Sequence, residues 1–321
     1  MKNLRKIVAL LLVVSVLVCL AACGNSDGTK KTKLRFATGS ESGTYYAFGS
    51  VIAQHATNNA GISVNAVVGQ GSQANVEELQ ANNAEIAFCQ SDVMAYAYAG
   101  TNLFDTPVTC FSTVAALYTE QVQIVTLDPS IKTVADLMGK KVSIGAAGSG
   151  VYFNAIDILG AYNLTEDDIA PTYQSFGDSA DALKDGKIDA AFIVAGAPTT
   201  AVVDLSTTKN VNLVSLDEDH IDALIEKSPY YTKSVISKDV YGTENDITTV
   251  GVGAVILANN TVSEDAVYNL CKDIFDNAES LVDSHAKYGE LDLEYAASIT
   301  SVPYHAGAAK YFSEKGFEVN K

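Results

Sequence analysis

Leu34-Arg35-Phe36-Ala37-Thr38-Gly39-Ser40-Glu41-Ser42-Gly43-Thr44-Tyr45-Tyr46 carries the pattern from which the rest of the chain is read. A β-rich run over Leu34–Thr38 passes through a glycine- and serine-rich loop into helical spacing over Tyr45–Asn58. Strand, tight loop and helix together make the repeating unit of an α/β sheet. Working outward, the unit recurs. Ser63–Val68 and Ile86–Cys89 are further β-rich runs, with helical spacing over Gln73–Asn82 between them. Ser112–Leu117 and Gln123–Leu127 follow without an obvious helix. A second series then begins: strands at Lys141–Gly145, Thr172–Phe176, Ala190–Val194 and Asn212–Leu216, with helices near 151–162, 179–185, 199–206 and 218–227. Val250–Ala258 predicts one more strand. Helices near 263–284 and 305–315 close the chain, the first started by Ser263 and Glu264. Two alternating series separated at 112–127 predict an α/β protein of two lobes. Each lobe is a mostly parallel sheet flanked by helices, and hinge strands join them.

In such sheets ligands sit beyond the carboxyl ends of the strands, at helix N-termini. Four loops at those positions share one chemistry: Thr38–Tyr46, Gly69-Gln70-Gly71-Ser72-Gln73, Gln90-Ser91-Asp92 and Gly145-Ala146-Ala147-Gly148-Ser149-Gly150. Glycine lets the backbone approach a ligand, and exposed N–H groups at a helix start attract an anion without a cationic side chain. Ser, Thr and Gly also serve as ordinary turns and caps, so the argument rests on all four loops occurring together. Gly69-x-Gly71-x-x-Ala74 with Asp92 downstream imitates a dinucleotide fingerprint but has no catalytic partner beside it. No phosphate-binding P-loop, nucleophile elbow or His-Glu-x-x-His motif occurs. His55, His220, His285 and His305 are scattered, so no metal site and no cofactor is expected.

The N-terminus places the chain in a compartment. Lys2, Arg5 and Lys6 precede an apolar stretch, Ile7–Leu20, and then Leu20-Ala21-Ala22-Cys23-Gly24. A basic start, a short apolar core and small residues at the cut make a secretory signal over residues 1–22. The core, at about 14 residues, is shorter than a bilayer span. Leu-Ala-Ala-Cys resembles the lipobox of bacterial lipoproteins, which implies a lipid on Cys23 and an extracytoplasmic, membrane-tethered protein. Residues 23–33 read as a flexible tether. Losing Lys2, Arg5 and Lys6 takes the formal charge from −17 to −20, which excludes nucleic acid as a partner. Beyond Cys23 the cysteines Cys89, Cys110 and Cys271 are odd in number. They read as small buried residues, with a Cys89–Cys110 bridge left open. Arg35 is the only arginine after the signal.

The loops, taken in order, resemble TAXI proteins, the extracytoplasmic solute receptors of tripartite ATP-independent periplasmic (TRAP) transporters. The matching segments are Phe36-Ala37-Thr38-Gly39-Ser40-x-x-Gly43-Thr44-Tyr45-Tyr46, Gly69-x-Gly71-Ser72 with Asn75, and Gln90-Ser91-Asp92. Leu137-x-Gly139-Lys140-Lys141-Val142-Ser143-Ile144-Gly145, Gly148-Ser149-Gly150 and Pro303-Tyr304-His305-x-Gly307-Ala308 continue the match, which spans roughly residues 34–316. The resemblance implies a periplasmic-binding-protein fold (type II-like). Lobe one would comprise 34–119 plus 251–321, and lobe two 120–250. It also implies a small carboxylate or amino-acid ligand, such as glutamate or glutamine, no chemistry by the receptor itself, and delivery to a TRAP permease. A monomer is the default expectation. A sensory input protein of the same fold is the alternative.

The resemblance implies one wall of the pocket from Ser40, Gly43, Thr44 and Tyr45, and a second edge from Ser72, Gln90 and Asp92. Asp92 either accepts from a ligand ammonium or caps the helix after Ser91. Gly148, Ser149, Gly150 and Val151 face them from lobe two, with Ala195, Gly196 and Pro198 as floor. Because Arg35 lies at the start of the first strand, a carboxylate is expected on backbone N–H groups and hydroxyls, best at Ser149, Gly150 and Val151.

Overall fold

The computed structural model describes residues 31–321; the signal, Cys23 and most of the tether lie outside the described residues. Ten strands form one sheet: β1 (Lys33–Ala37), β2 (Ser63–Val67), β3 (Ile86–Gln90), β4 (Phe111–Thr126), β5 (Lys141–Ser143), β6 (Ala170–Thr172), β7 (Ala190–Ala195), β8 (Asn212–Val214), β9 (Thr232–Ile236) and β10 (Ile247–Asn259). Their order is β2-β1-β3-β10-β4-β7-β5-β6, with β8 added to β4 and β9 to β10. The helices are α1 (Thr44–Asn59), α2 (Ser72–Gln80), α3 (Ser91–Ala99), α4 (Val151–Ala161), α5 (Phe176–Lys184), α6 (Thr200–Ser206), α7 (Glu218–Lys227), α8 (Lys238–Tyr241), α9 (Glu264–Asp276), α10 (Ala278–Leu281), α11 (Leu293–Ala296) and α12 (Ala306–Glu314).

The chain is α/β and two-lobed. Parallel pairing holds within each series: β1 with β2 and β3, and β5 with β6 and β7. The long strands β4 and β10 run antiparallel to each other and to β7 and β3, and tie the two parallel sets together. The sheet is therefore mixed and continuous, where the sequence suggests mostly parallel sheets. The outer ends of β4 and β10 serve one core: Val114, Leu117, Ala254 and Ile256 pack with Phe36, Phe48, Phe88 and α9. Their inner ends serve another: Val122, Ile124, Val250 and Val252 pack with Ile144, Ile158 and Phe192. Burying a Phe of this kind contributes about 1.5–3 kcal/mol.

Four local readings are corrected by the structure. Ser112–Leu117 and Gln123–Leu127 belong to one strand. The polar Tyr118–Val122 segment between them keeps its ladder with β10 as far as Gln121 and meets β7 from Gln121 onward. The strand expected at Thr172–Phe176 ends at Thr172, and Ser175 instead accepts from the Asp178 N–H and starts α5. The helix expected to reach 284 stops at Asp276, where the Asn277 side chain takes the Asp273 carbonyl. The unpredicted strand β9 lies at an edge with mostly exposed residues, so no alternation marks it. Cys89, Cys110 and Cys271 are unpaired, and Cys110 is only half-buried. Among the described residues no helix is long and apolar enough to cross a membrane.

Candidate functional site: an interlobe cavity

The carboxyl ends of β1, β3 and β5 all point toward the seam between the two cores. Asn75, fully buried, fixes the first two. Its side-chain N–H₂ donates to the carbonyls of Thr38 (2.7 Å) and Phe88 (2.8 Å), pinning α2 across both strand ends. Ser72 Oγ accepts from the Gln90 backbone N–H at 3.0 Å, which sets α2 against the start of α3. Tyr45 stacks on Phe88 with ring centroids 4.5 Å apart, and its hydroxyl donates to Glu120 Oε2 at 2.6 Å.

The two sides meet directly. The Ala74 N–H donates to the Gly148 carbonyl (2.9 Å), Thr44 Oγ1 to the Gly196 carbonyl (2.8 Å), and the Ala201 N–H to the Ser42 carbonyl (3.2 Å). Gln90 Nε2 donates to Asn154 Oδ1 at 2.9 Å, and Asn154 Nδ2 to Asp92 Oδ2 at 2.9 Å and to the Tyr231 hydroxyl at 2.8 Å. Between these contacts lies a partly open cavity of about 60 Å³. That is room for about four waters, the scale of a small metabolite.

Ser40, Gly43, Thr44 and Tyr45 line the cavity from the first loop, and Ser72 and Gln90 from the next two. Ser149, Gly150 and Val151 line it from the opposite side, with Ala195 beneath. Asp92, Gly148, Gly196 and Pro198 do not line it. Asp92 is buried in the Asn154 contact, and the Gly148 and Gly196 carbonyls are engaged across the seam. Pro198 follows a cis peptide bond. Arg35 lies outside, paired with Glu85 at 2.6 Å. Among the described residues no Lys, Arg or His lines the cavity.

Sequence reasoning missed Glu120, which reaches the cavity from the middle of β4 and is 2% exposed. It also missed Val194 and the Gln174-Ser175-Phe176 turn, while Gln70 and Ala146 lie in loops it marked without singling them out. A signal for Glu120 was present in the sequence: a lone acid between two strongly apolar runs, in the segment already marked as crossing between lobes.

Three helices open onto the cavity with glycine as their N-cap and no side-chain cap: α1 at Gly43, α2 at Gly71 and α4 at Gly150. Elsewhere Asp217, Ser237, Ser263, Asp292 and His305 each accept an N–H at the start of their own helix, and so does Ser175 at α5, which borders the cavity, whereas α3 at Gln90, α6 at Thr199 and α10 at Asn277 also lack a side-chain cap. Uncapped N–H groups and a positive dipole end favour an anion by about 0.3–1 kcal/mol per terminus, and up to about 2 when partly buried.

Two buried oxygens at the cavity, Gln90 Oε1 and Ser149 Oγ, have no hydrogen-bond partner. Burial pushes the Glu120 carboxyl well up from the usual carboxylate range, while the Tyr45 hydroxyl and, more remotely, Lys287 oppose the shift. Burial also raises Asp92 to about 7, against the Val93 N–H and Asn154, which favour its ionised form. Among the described residues no group of His, Cys, Asp and Glu is arranged to hold a metal.

The described residues thus form one continuous mixed sheet with a core on either side of a partly open cavity. The chain belongs to the NMT1-like family, whose model matches residues 36–316. Among solved structures, a protein of Bordetella bronchiseptica RB50 is similar at 15% identity, over 88% of this chain and 89% of that one, with a TM-score of 0.52. The periplasmic aliphatic sulphonate binding protein SsuA of Escherichia coli is 17% identical over 89% of this chain and 91% of its own, with a TM-score of 0.48. The GluR0 ligand-binding core of Nostoc punctiforme, solved with L-glutamate, is 16% identical over 78% and 98%, with a TM-score of 0.49. At these identities the likeness is one of fold alone.

Proposed function

We propose that the protein is an extracytoplasmic receptor that closes its two lobes on one small carboxylate or amino acid and delivers it to a TRAP permease, without catalysing a reaction. The observation that carries this reading is the cavity itself: three uncapped helix starts, at Gly43, Gly71 and Gly150, open onto a space with no basic side chain in its lining among the described residues. The N–H groups of Gly150 and Val151 are the best seat for a carboxylate, because the Ser149 N–H is already taken by the Ala146 carbonyl. Lobe one comprises residues 34–119 plus 251–321 and lobe two 120–250, with β4 and β10 as the hinge. Closure then follows ordinary hinge bending stabilised by the ligand. The lipobox supports a lipid anchor on Cys23, and the motif series from Phe36 to Ala308 supports the TAXI assignment.

The test has two arms. Protein freed of carried solutes is titrated calorimetrically with L-glutamate, L-glutamine and a panel of small carboxylates. Saturable binding of one solute per chain supports the receptor, and no binding across the panel refutes it. Uptake of the bound solute by cells is then measured with and without the chain. Uptake that needs the chain and an ion gradient supports the permease partner, whereas uptake that instead follows ATP refutes it.

A further inference from the structure

Glu120 lines the cavity as a buried carboxyl group without a countercharge; burial by itself favours its neutral form, and a ligand cation would favour the charged one. Its Oε2 accepts from the Tyr45 hydroxyl, and Glu120 makes no ion pair among the described residues. The nearby buried ammonium, on Lys287, is committed elsewhere. It donates to Glu290 Oε1 at 2.5 Å and to the Ala197 carbonyl at 3.0 Å, and lies 5.2 Å from the Tyr118 ring centroid. Gln90, 2% exposed, presents Oε1 to the same cavity with no donor. An isolated buried carboxylate and an orphaned amide oxygen are costly features, and a ligand cation with several N–H donors would satisfy both.

The cavity thus has two unlike parts. The N-termini of α1, α2 and α4 offer donors, whereas Glu120 and Gln90 Oε1 offer acceptors and a negative charge. A plain anion such as a dicarboxylate or a sulfonate would satisfy the donors but would be buried beside Glu120. A zwitterion would satisfy both parts and leave the Glu120 charge neutralised.

From this geometry we infer that Glu120 is a specificity-determining residue that reads a ligand ammonium, so that the receptor takes zwitterionic amino acids and rejects their desamino counterparts. The inference rests on the receptor reading above. It adds a requirement that reading does not contain.

The experiment uses matched pairs on the purified, solute-free protein: L-glutamine against 4-carbamoylbutyrate, L-glutamate against glutarate, and taurine against ethanesulfonate. Calorimetry is expected to show each bound zwitterion favoured over its desamino partner by about 30-fold or more. Glu120→Gln keeps the shape and an acceptor but removes the charge. It should weaken the preferred zwitterion by about 30-fold or more while the desamino analogue gains or is unchanged, so the preference collapses. The wild-type comparison stands alone should the variant misfold. Desamino partners bound as tightly as the zwitterions would overturn the inference and leave the receptor intact, since Glu120 would then be protonated and donating to an anion. Binding of no compound at all would overturn both.

Discussion

Gly150→Ala tests closure separately from folding. Gly150 has φ −70° and ψ −22°, a helical conformation that alanine adopts freely, so the backbone is unstrained. An added Cβ would overlap Gln90 Oε1 and come within 2.9 Å of Ser72 Oγ. Both neighbours belong to the opposite side of the cavity, so separating the two sides would relieve the clash. Gln90 would have to swing away and release its 2.9 Å bond to Asn154, leaving buried polar groups unpaired. Each such group costs about 1–3 kcal/mol, which converts to an affinity loss of about 5- to 150-fold. The expected result is a melting midpoint of the unliganded protein close to wild type. Calorimetry should show weaker binding in that range for any solute the wild type takes. Small-angle scattering should show reduced compaction on ligand addition. Unchanged affinity with full compaction would refute the claim that Gly150 and Gln90 meet when the receptor closes.

Other outcomes follow from the same structure. Burial raises Asp92 to about 7, so the folded chain holds this proton more tightly than the unfolded one, and stability falls as pH rises from about 4 to 7. Asp92→Asn should therefore raise the melting midpoint at pH 8, by at most about 4 kcal/mol of stability, and leave it unchanged at pH 4. An equal shift at both values would contradict the burial argument. Arg35→Ala should leave solute affinity unchanged by calorimetry, since Arg35 pairs with Glu85 away from the cavity. A Cβ at Gly307 would overlap the Glu264 carbonyl where α12 crosses α9, so Gly307→Ala should lower stability by about 1–3 kcal/mol in urea unfolding. Cys23→Ser should move the protein from the membrane fraction to the soluble extracytoplasmic fraction on immunoblots.

The lobes were legible because their strands and helices alternate in the sequence, and β3 shows why. Its five residues, Ile86–Gln90, are all buried, and a central parallel strand reads as a continuous apolar run. Helix ends were legible where a Ser or Asp supplied a cap, as at Ser263. What the sequence hid was long-range. The lone acid is the only local sign that Tyr118–Val122 bridges two cores, because the polar Thr119-Glu120-Gln121 looks like a turn until both neighbouring strands are in place. Glu120 was lost with it. Asp92, by contrast, looked like a ligand group from its position after β3. Its side chain is turned instead into the Asn154 and Tyr231 contact, a partnership across more than sixty residues. The glycine loops were legible because their requirement is local: a Cβ at Gly69 would meet the Thr38 carbonyl oxygen at 2.7 Å, and Gly71 has φ +113°.

The central claim, that one small solute is held between the lobes, is tested most directly by native mass spectrometry of the purified protein before and after mild unfolding to strip it, with glutamate and glutamine then added back. The account predicts one small-molecule mass per chain, lost on stripping and restored by a single saturable addition. A chain at its bare mass throughout, binding neither amino acid nor any other small carboxylate, would contradict it.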